Sequence, residues 1–136
     1  MLTIETYLSL SPGKGIGLFT KERIQANSIW WIRSEKFDKK FLPEELDSLN
    51  WLTVQFIKTY GFLEPTGNWY LCIDNARFSN HSVFPNTGNN LNTNGELISC
   101  SAKRDIEVGE EILCNYKEIC LVASKDLGFK DVENES

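Results

Sequence analysis

Residues 77–86 read Arg77-Phe78-Ser79-Asn80-His81-Ser82-Val83-Phe84-Pro85-Asn86, a run that neither a plain strand nor a plain helix would favour. It carries the only histidine of the chain. Asn, Ser and Pro supply turns and side chains that bond nearby backbone. Two further unusual segments share the chain: Gly13-Lys14-Gly15-Ile16-Gly17-Leu18-Phe19 upstream and Gly109-Glu110-Glu111-Ile112-Leu113-Cys114-Asn115-Tyr116 downstream.

The rest reads as short elements. Strands are expected over 3–8, 17–20 and 28–32, separated by Ser11-Pro12-Gly13 and Gln25-Ala26-Asn27. From Pro43, a favoured first helical residue, Leu46, Leu49, Leu52, Phe56, Ile57 and Tyr60 keep helical spacing until Gly61, so one helix is expected over 43–60. Beyond Pro65-Thr66-Gly67-Asn68 a strand is expected over 69–73, a surface loop over the Asn/Gly-rich 86–95, and strands over 97–102 and 111–115.

A chain of 136 residues, 41% hydrophobic and 12% aromatic, can form one core. Residues 1–130 therefore read as a single domain and the acidic 131–136 as a frayed tail. The net charge of −5, from 14 basic and 19 acidic residues, disfavours direct binding to nucleic acid or an anionic membrane and favours a basic partner. No stretch approaches the roughly 20 apolar residues needed to span a bilayer, and Met1-Leu2-Thr3-Ile4-Glu5 lacks the basic start of a secretory signal. An intracellular protein is expected, cytoplasmic or, in a eukaryotic host, nuclear. The four cysteines, Cys72, Cys100, Cys114 and Cys120, form no Cys-x-x-Cys pair. They read as small buried hydrophobes, and no metal is expected.

Each motif alone has a plain reading. Gly15-Ile16-Gly17 precedes a strand, so it is no dinucleotide fingerprint, which needs a third glycine opening a helix; the glycines permit a ligand to approach the backbone closely. His81 could simply pack in a turn, Tyr60 could be the last core contact of the helix, Cys114 a core thiol, and Tyr116 an aromatic at a strand end. A hydrolytic set of Ser82, His81 and Asp74 is disfavoured, because neighbouring side chains on extended backbone point to opposite faces.

Taken in order, the set resembles the SET domain of protein-lysine methyltransferases: Gly15-Ile16-Gly17, then Ile73-Asp74-Asn75-Ala76, Arg77 to Asn86, Ala102-Lys103-Arg104-Asp105-Ile106, and Gly109-Glu110-Glu111 before Tyr116. The resemblance covers about residues 3–117. It implies a mostly β (α+β) β-clip fold of several small sheets, with one inserted helix and a C-terminal pseudoknot in which the last segment threads a preceding loop. It further implies S-adenosyl-L-methionine as methyl donor, held by Lys14, Gly15, Ile16, Asn80 and His81 with Tyr60 as a wall and Phe129 as a lid. Cys114 and Tyr116 would line the substrate channel, and Tyr116 would be the catalytic tyrosine. The substrate would be a lysine-containing protein or basic peptide. The alternative is a non-catalytic module of the same fold that grips a basic peptide.

The chain departs from the family in three places. It lacks cysteine-rich zinc flanks and so resembles the minimal viral or bacterial members, which leaves 120–129 to close the donor pocket. Lys117 stands where glycine often follows the tyrosine. Cys114 stands where Phe or Tyr often limits methylation, leaving room for two or three methyl groups. A homodimer is also allowed, with Trp30-Trp31 as a candidate patch unless strand alternation sends one of them to the core.

Overall fold

The computed structural model describes residues 1–119. Among the described residues ten strands make four small sheets. Strands β1 (Thr6–Ser11) and β2 (Gly15–Thr20) form an antiparallel hairpin; β3 (Ile29–Ile32), β9 (Leu97–Ala102) and β8 (Thr87–Leu91) form a second sheet in the order β3-β9-β8. A third has the order β4-β6-β5, from Lys39–Phe41, Trp69–Leu71 and Phe62–Leu63. The fourth is a parallel pair of β7 (Asn80–His81) with β10 (Leu113–Cys114).

The expected single helix is broken into α1 (Pro43–Asp47) and α2 (Trp51–Tyr60). Asn50 causes the break: its backbone is extended, and its side chain accepts from Thr53 N at 2.9 Å, capping α2 afresh. A capping asparagine and a continuous helix compete for the same backbone groups. Of the apolar residues on α2, only Ile57 is buried, whereas Trp51, Leu52 and Phe56 are exposed among the described residues. Gly61 does end the helix. A Cβ there would lie 2.7 Å from Ile57 O and 2.9 Å from Tyr70 O, so the chain can pass at this point only without a side chain.

The loop expected over 86–95 contains β8 instead. Thr87 is fully buried, and Asn90 donates to both Ser99 Oγ and Ser101 Oγ at 3.0 Å, so polar cross-strand contacts replace the apolar alternation that usually marks a strand. The Trp30-Trp31 pair is not an exposed patch. Both indoles are 2% exposed, because the register of β3 against β9 shifts between Ile29 and Trp31 and breaks the two-residue alternation. They join Leu18, Ile24, Tyr70, Ile106 and Ile112 in the core.

The two three-stranded sheets are joined by a buried ion pair. Arg33 donates to both Glu64 oxygens at 2.9 Å, and Glu64 also accepts from Leu97 N at 3.1 Å. The guanidinium lies 3.9 Å from the Tyr70 ring centroid, and Tyr70 Oη donates to Asp38 at 2.8 Å. Glu64 thus has three donors, two from Arg33 and one from the Leu97 N–H, which compensate its burial.

Residues 110–116 run between two partners. On one side Thr20 N donates to Glu110 O and Ile112 N to Leu18 O; on the other β10 lies along β7, and Ser82 N donates to Cys114 O at 2.9 Å. This is the crossing that the pseudoknot fold requires. Among the described residues no helix is long and apolar enough to cross a membrane.

Glu64→Ala is expected to lower the unfolding free energy by about 3–5 kcal/mol, because it leaves the Arg33 charge buried without its partner. A urea titration that finds less than about 1 kcal/mol would show that Arg33 is not held in a desolvated place.

Candidate functional site

The crossing works through side chains that imitate backbone. Asn86, 5% exposed, donates from Nδ2 to Glu111 O at 2.7 Å and accepts from Leu113 N at 2.9 Å; Thr87 Oγ1 donates to Leu113 O at 2.8 Å. Ser82 Oγ accepts from Phe84 N at 2.9 Å and sets the intervening turn. The polar cluster therefore binds the downstream segment and brings both to one place.

A cavity of about 750 Å³ opens there, within the range of ligand pockets. Lys14, Ile16, Tyr60, Asn80, His81, Cys114 and Tyr116 all line it. Gly15 lies between two lining residues but does not line the cavity itself. Phe129 and Cys120 lie outside the described residues, as do the tail and the end of the domain.

Tyr116 opens a short 3-10 turn, Tyr116–Glu118, capped by Asn115 Oδ1 accepting from Lys117 N at 3.0 Å. Lys117 has no left-handed backbone, so this turn makes no demand for glycine. Tyr116 N donates to His81 Nδ1 at 3.0 Å, and Tyr116 Oη donates to the Ser79 carbonyl. The phenol is thus fixed from both ends by residues 79–81. His81 lines the cavity, yet its Nδ1 serves Tyr116, and its carbonyl accepts from Lys14 Nζ at 3.1 Å.

Asn80 Nδ2 donates to Ile16 O at 3.1 Å and to Glu111 Oε2 at 2.9 Å. Glu111 Oε1 in turn accepts from Ser11 Oγ at 2.7 Å. Gly17 passes so close that a Cβ there would lie 2.4 Å from Glu111 Oε2. The second glycine therefore admits a carboxylate of the chain itself. Asp74 is occupied elsewhere, accepting from Leu2 N and Ala76 N, and cannot serve Ser82 or His81.

Burial, with smaller contributions from Cys114 and Glu111, pushes the Tyr116 phenol well above the ordinary tyrosine range. Burial also pushes Cys114 up to about 11, although the Ser79 hydroxyl, 3.6 Å from Sγ, pulls the other way. The Cys114 thiol and the Tyr116 phenol are thus neutral near pH 7. Among the described residues no three His, Cys, Asp or Glu are grouped to hold a metal.

Three lining or supporting residues were not singled out by the sequence. Phe78 stacks edge-on against Tyr60 with centroids 5.6 Å apart. Ser79 acts through its carbonyl, which leaves no trace in side-chain identity. Glu111 was visible within Gly109-Glu110-Glu111, but nothing in the sequence marked it as the partner of Asn80.

Small twisted sheets, a threaded C-terminal segment and a cavity at the crossing define a SET-type domain. The sequence profile of the SET domain family matches residues 15–117, more than half of the chain, and the chain belongs to that family. No curated protein matches it. Among solved structures, Chaetomium thermophilum Polycomb Repressive Complex 2 bound to S-adenosylmethionine superposes with a TM-score of 0.66 at 21% identity, covering 92% of this chain and 16% of that one. A Plasmodium falciparum protein described as a histone methyltransferase gives 0.59 at 23% identity, covering 85% and 95%. The chain thus spans about a sixth of the Polycomb chain and nearly all of the Plasmodium one. At these identities the likeness establishes the fold.

The raised thiol and phenol pKa values make stability fall with alkaline pH. A group held neutral in the folded state stabilises it fully below its unfolded pKa, and that contribution is lost as pH rises towards the folded value. Cys72, Cys100, Cys114, Tyr70 and Tyr116 are all raised. The loss is expected to begin above about pH 8.5, where unfolded cysteine ionises, and to steepen above about pH 10 with tyrosine. The urea midpoint should therefore fall from pH 7 to 10.5; a constant midpoint would refute the assigned burial.

Proposed function

We propose that the protein is an S-adenosylmethionine-dependent methyltransferase acting on the side-chain amine of a lysine in a basic protein or peptide, with Tyr116 as the catalytic tyrosine. The observation that carries this reading is the convergence on one cavity of Tyr116, fixed at both ends, with Lys14, Ile16 and Asn80. An acidic chain, net −5, suits a basic substrate, and an intracellular site would provide the donor.

The residues fit the donor. Asn80 Oδ1 accepts from no described residue, because the amide nitrogen takes both nearby acceptors, so the oxygen is available to an ammonium group. Lys14 offers a positive charge for a carboxylate, and Ile16, Tyr60 and Phe78 offer apolar surface. When bound, S-adenosylmethionine supplies an electrophilic methyl on sulfonium, taken by the amine lone pair as the carbon–sulfur bond breaks.

The chain's own contribution is alignment and desolvation. A free lysine amine has a pKa of about 10.4 and is protonated at neutral pH. Mostly apolar walls, with the Tyr116 phenol and Cys114 thiol neutral, disfavour the ammonium and leave a larger share of reactive amine. Tyr116, neutral and anchored to Ser79 O, presents its phenol oxygen as a fixed acceptor for an N–H of the amine. Orientation of two confined reactants can supply several kcal/mol of the barrier reduction.

Calorimetric titration with S-adenosylhomocysteine followed by peptide assays tests this. Saturable one-to-one binding, methylation of lysine-rich peptides, and loss of transfer by about 100-fold or more in Tyr116→Phe with donor binding kept would support it. Peptide binding without turnover would instead favour a non-catalytic module, and full turnover in Tyr116→Phe would remove the tyrosine from the chemistry.

Cys114 is buried beside Ser79 and is smaller than the aromatic residue common at its place. We expect di- or trimethyl-lysine as product, and Cys114→Phe to stop at the monomethyl form. Mass spectrometry that finds only monomethyl-lysine from the parent chain would overturn this.

A further inference from the structure

We infer that Glu111 is a positioning residue for the donor: its carboxylate, with the Ile16 carbonyl, holds the Asn80 amide in one orientation so that Oδ1 is presented to the donor's ammonium. This rests on the donor reading above.

An asparagine amide can turn over, exchanging its NH2 and its oxygen. Here both neighbours of Nδ2 are acceptors, Ile16 O at 3.1 Å and Glu111 Oε2 at 2.9 Å. The reversed amide would set an oxygen against two oxygens. Without Glu111 only one neutral carbonyl would oppose the turn, and a hydrogen bond to a charged acceptor is the stronger of the two.

Glu111 is itself held at three points. Its Oε1 accepts from Ser11 Oγ at 2.7 Å, its carbonyl accepts from Asn86 Nδ2 at 2.7 Å, and its backbone bridges Phe19. Gly17 gives up the space a side chain would occupy, since a Cβ there would come within 2.4 Å of Oε2 and 3.1 Å of Asn80 Nδ2. Thus Ser11 and Gly17 of the first hairpin and the distant Glu111, none of them lining the cavity, set the direction of one atom of Asn80, which does line it. A carboxylate within this network also sets the sign of what Asn80 receives: its oxygen faces a cation and rejects an anion.

The test compares S-adenosylhomocysteine binding by the parent chain, Glu111→Gln and Glu111→Leu. Glu111→Gln retains an oxygen that accepts from Nδ2, and its affinity should stay within about threefold of the parent. Glu111→Leu removes the acceptor at similar size and should weaken binding by about tenfold or more, raising the KM for the donor while leaving kcat at saturation little changed. In nitrogen-edited NMR spectra the two Asn80 Nδ2 protons should exchange slowly in the parent and in Glu111→Gln, and rapidly in Glu111→Leu.

Binding by the parent chain with equal affinity in a folded Glu111→Leu would overturn the positioning role and leave the donor reading intact. No binding by the parent would overturn both. Should Glu111→Leu fail to fold, the parent decides: slowly exchanging Asn80 Nδ2 protons that persist when product is added support the role, and rapidly exchanging ones overturn it.

Discussion

The structure depends on one grip: residues 80–87 hold residues 111–116. It is made less by a ladder than by polar side chains. The parallel pairing of β7 with β10 is only two residues long, so Asn86 and Thr87 supply further bonds to Glu111 and Leu113, and His81 supplies one to Tyr116. A buried strand end with no such partners would leave its carbonyls and N–H groups unpaired at a cost of about 1–3 kcal/mol each. His81, one of these side chains, also lines the cavity, so fold and site are joined at this residue.

Much of the cavity's lining was legible because it is built from unusual residues in unusual places. Asn80, His81 and Tyr116 stand out in sequence, and Lys14, Ile16, Tyr60 and Cys114 meet them around one cavity. What the sequence hid was the division of labour. Gly17 suggested room for a ligand, whereas the neighbour it admits is Glu111; His81 suggested a ligand contact, whereas its Nδ1 fixes Tyr116. Pattern reveals which residues are unusual, but only contacts reveal what each one serves.

The misread elements share a reason as well. The helix over 43–60 broke because Asn50 bonds its own neighbourhood, β8 formed from residues of low strand propensity because Ser99 and Ser101 satisfy Asn90, and both indoles of Trp30-Trp31 are buried because the register shifts. In each case a specific polar bond or a single extra residue outweighed a periodic tendency worth a few tenths of a kcal/mol per position. The buried Arg33–Glu64 pair belongs to the same class. Nothing in the charge pattern distinguishes these two from the solvated ions around them.

The bond from Ser11 to Glu111 spans 100 residues, and those from Ile16 and Ser79 span 64 and 37. Contacts so distant in sequence close late, after the entropy of large loops has been lost. A ribosome must release residue 116 before the last of these bonds, that of Tyr116 to Ser79, can form. Up to that moment the nascent chain has hairpins and helices but lacks the wall that Cys114, Tyr116 and Ile119 give the cavity, so it cannot hold a ligand there while it is still being made.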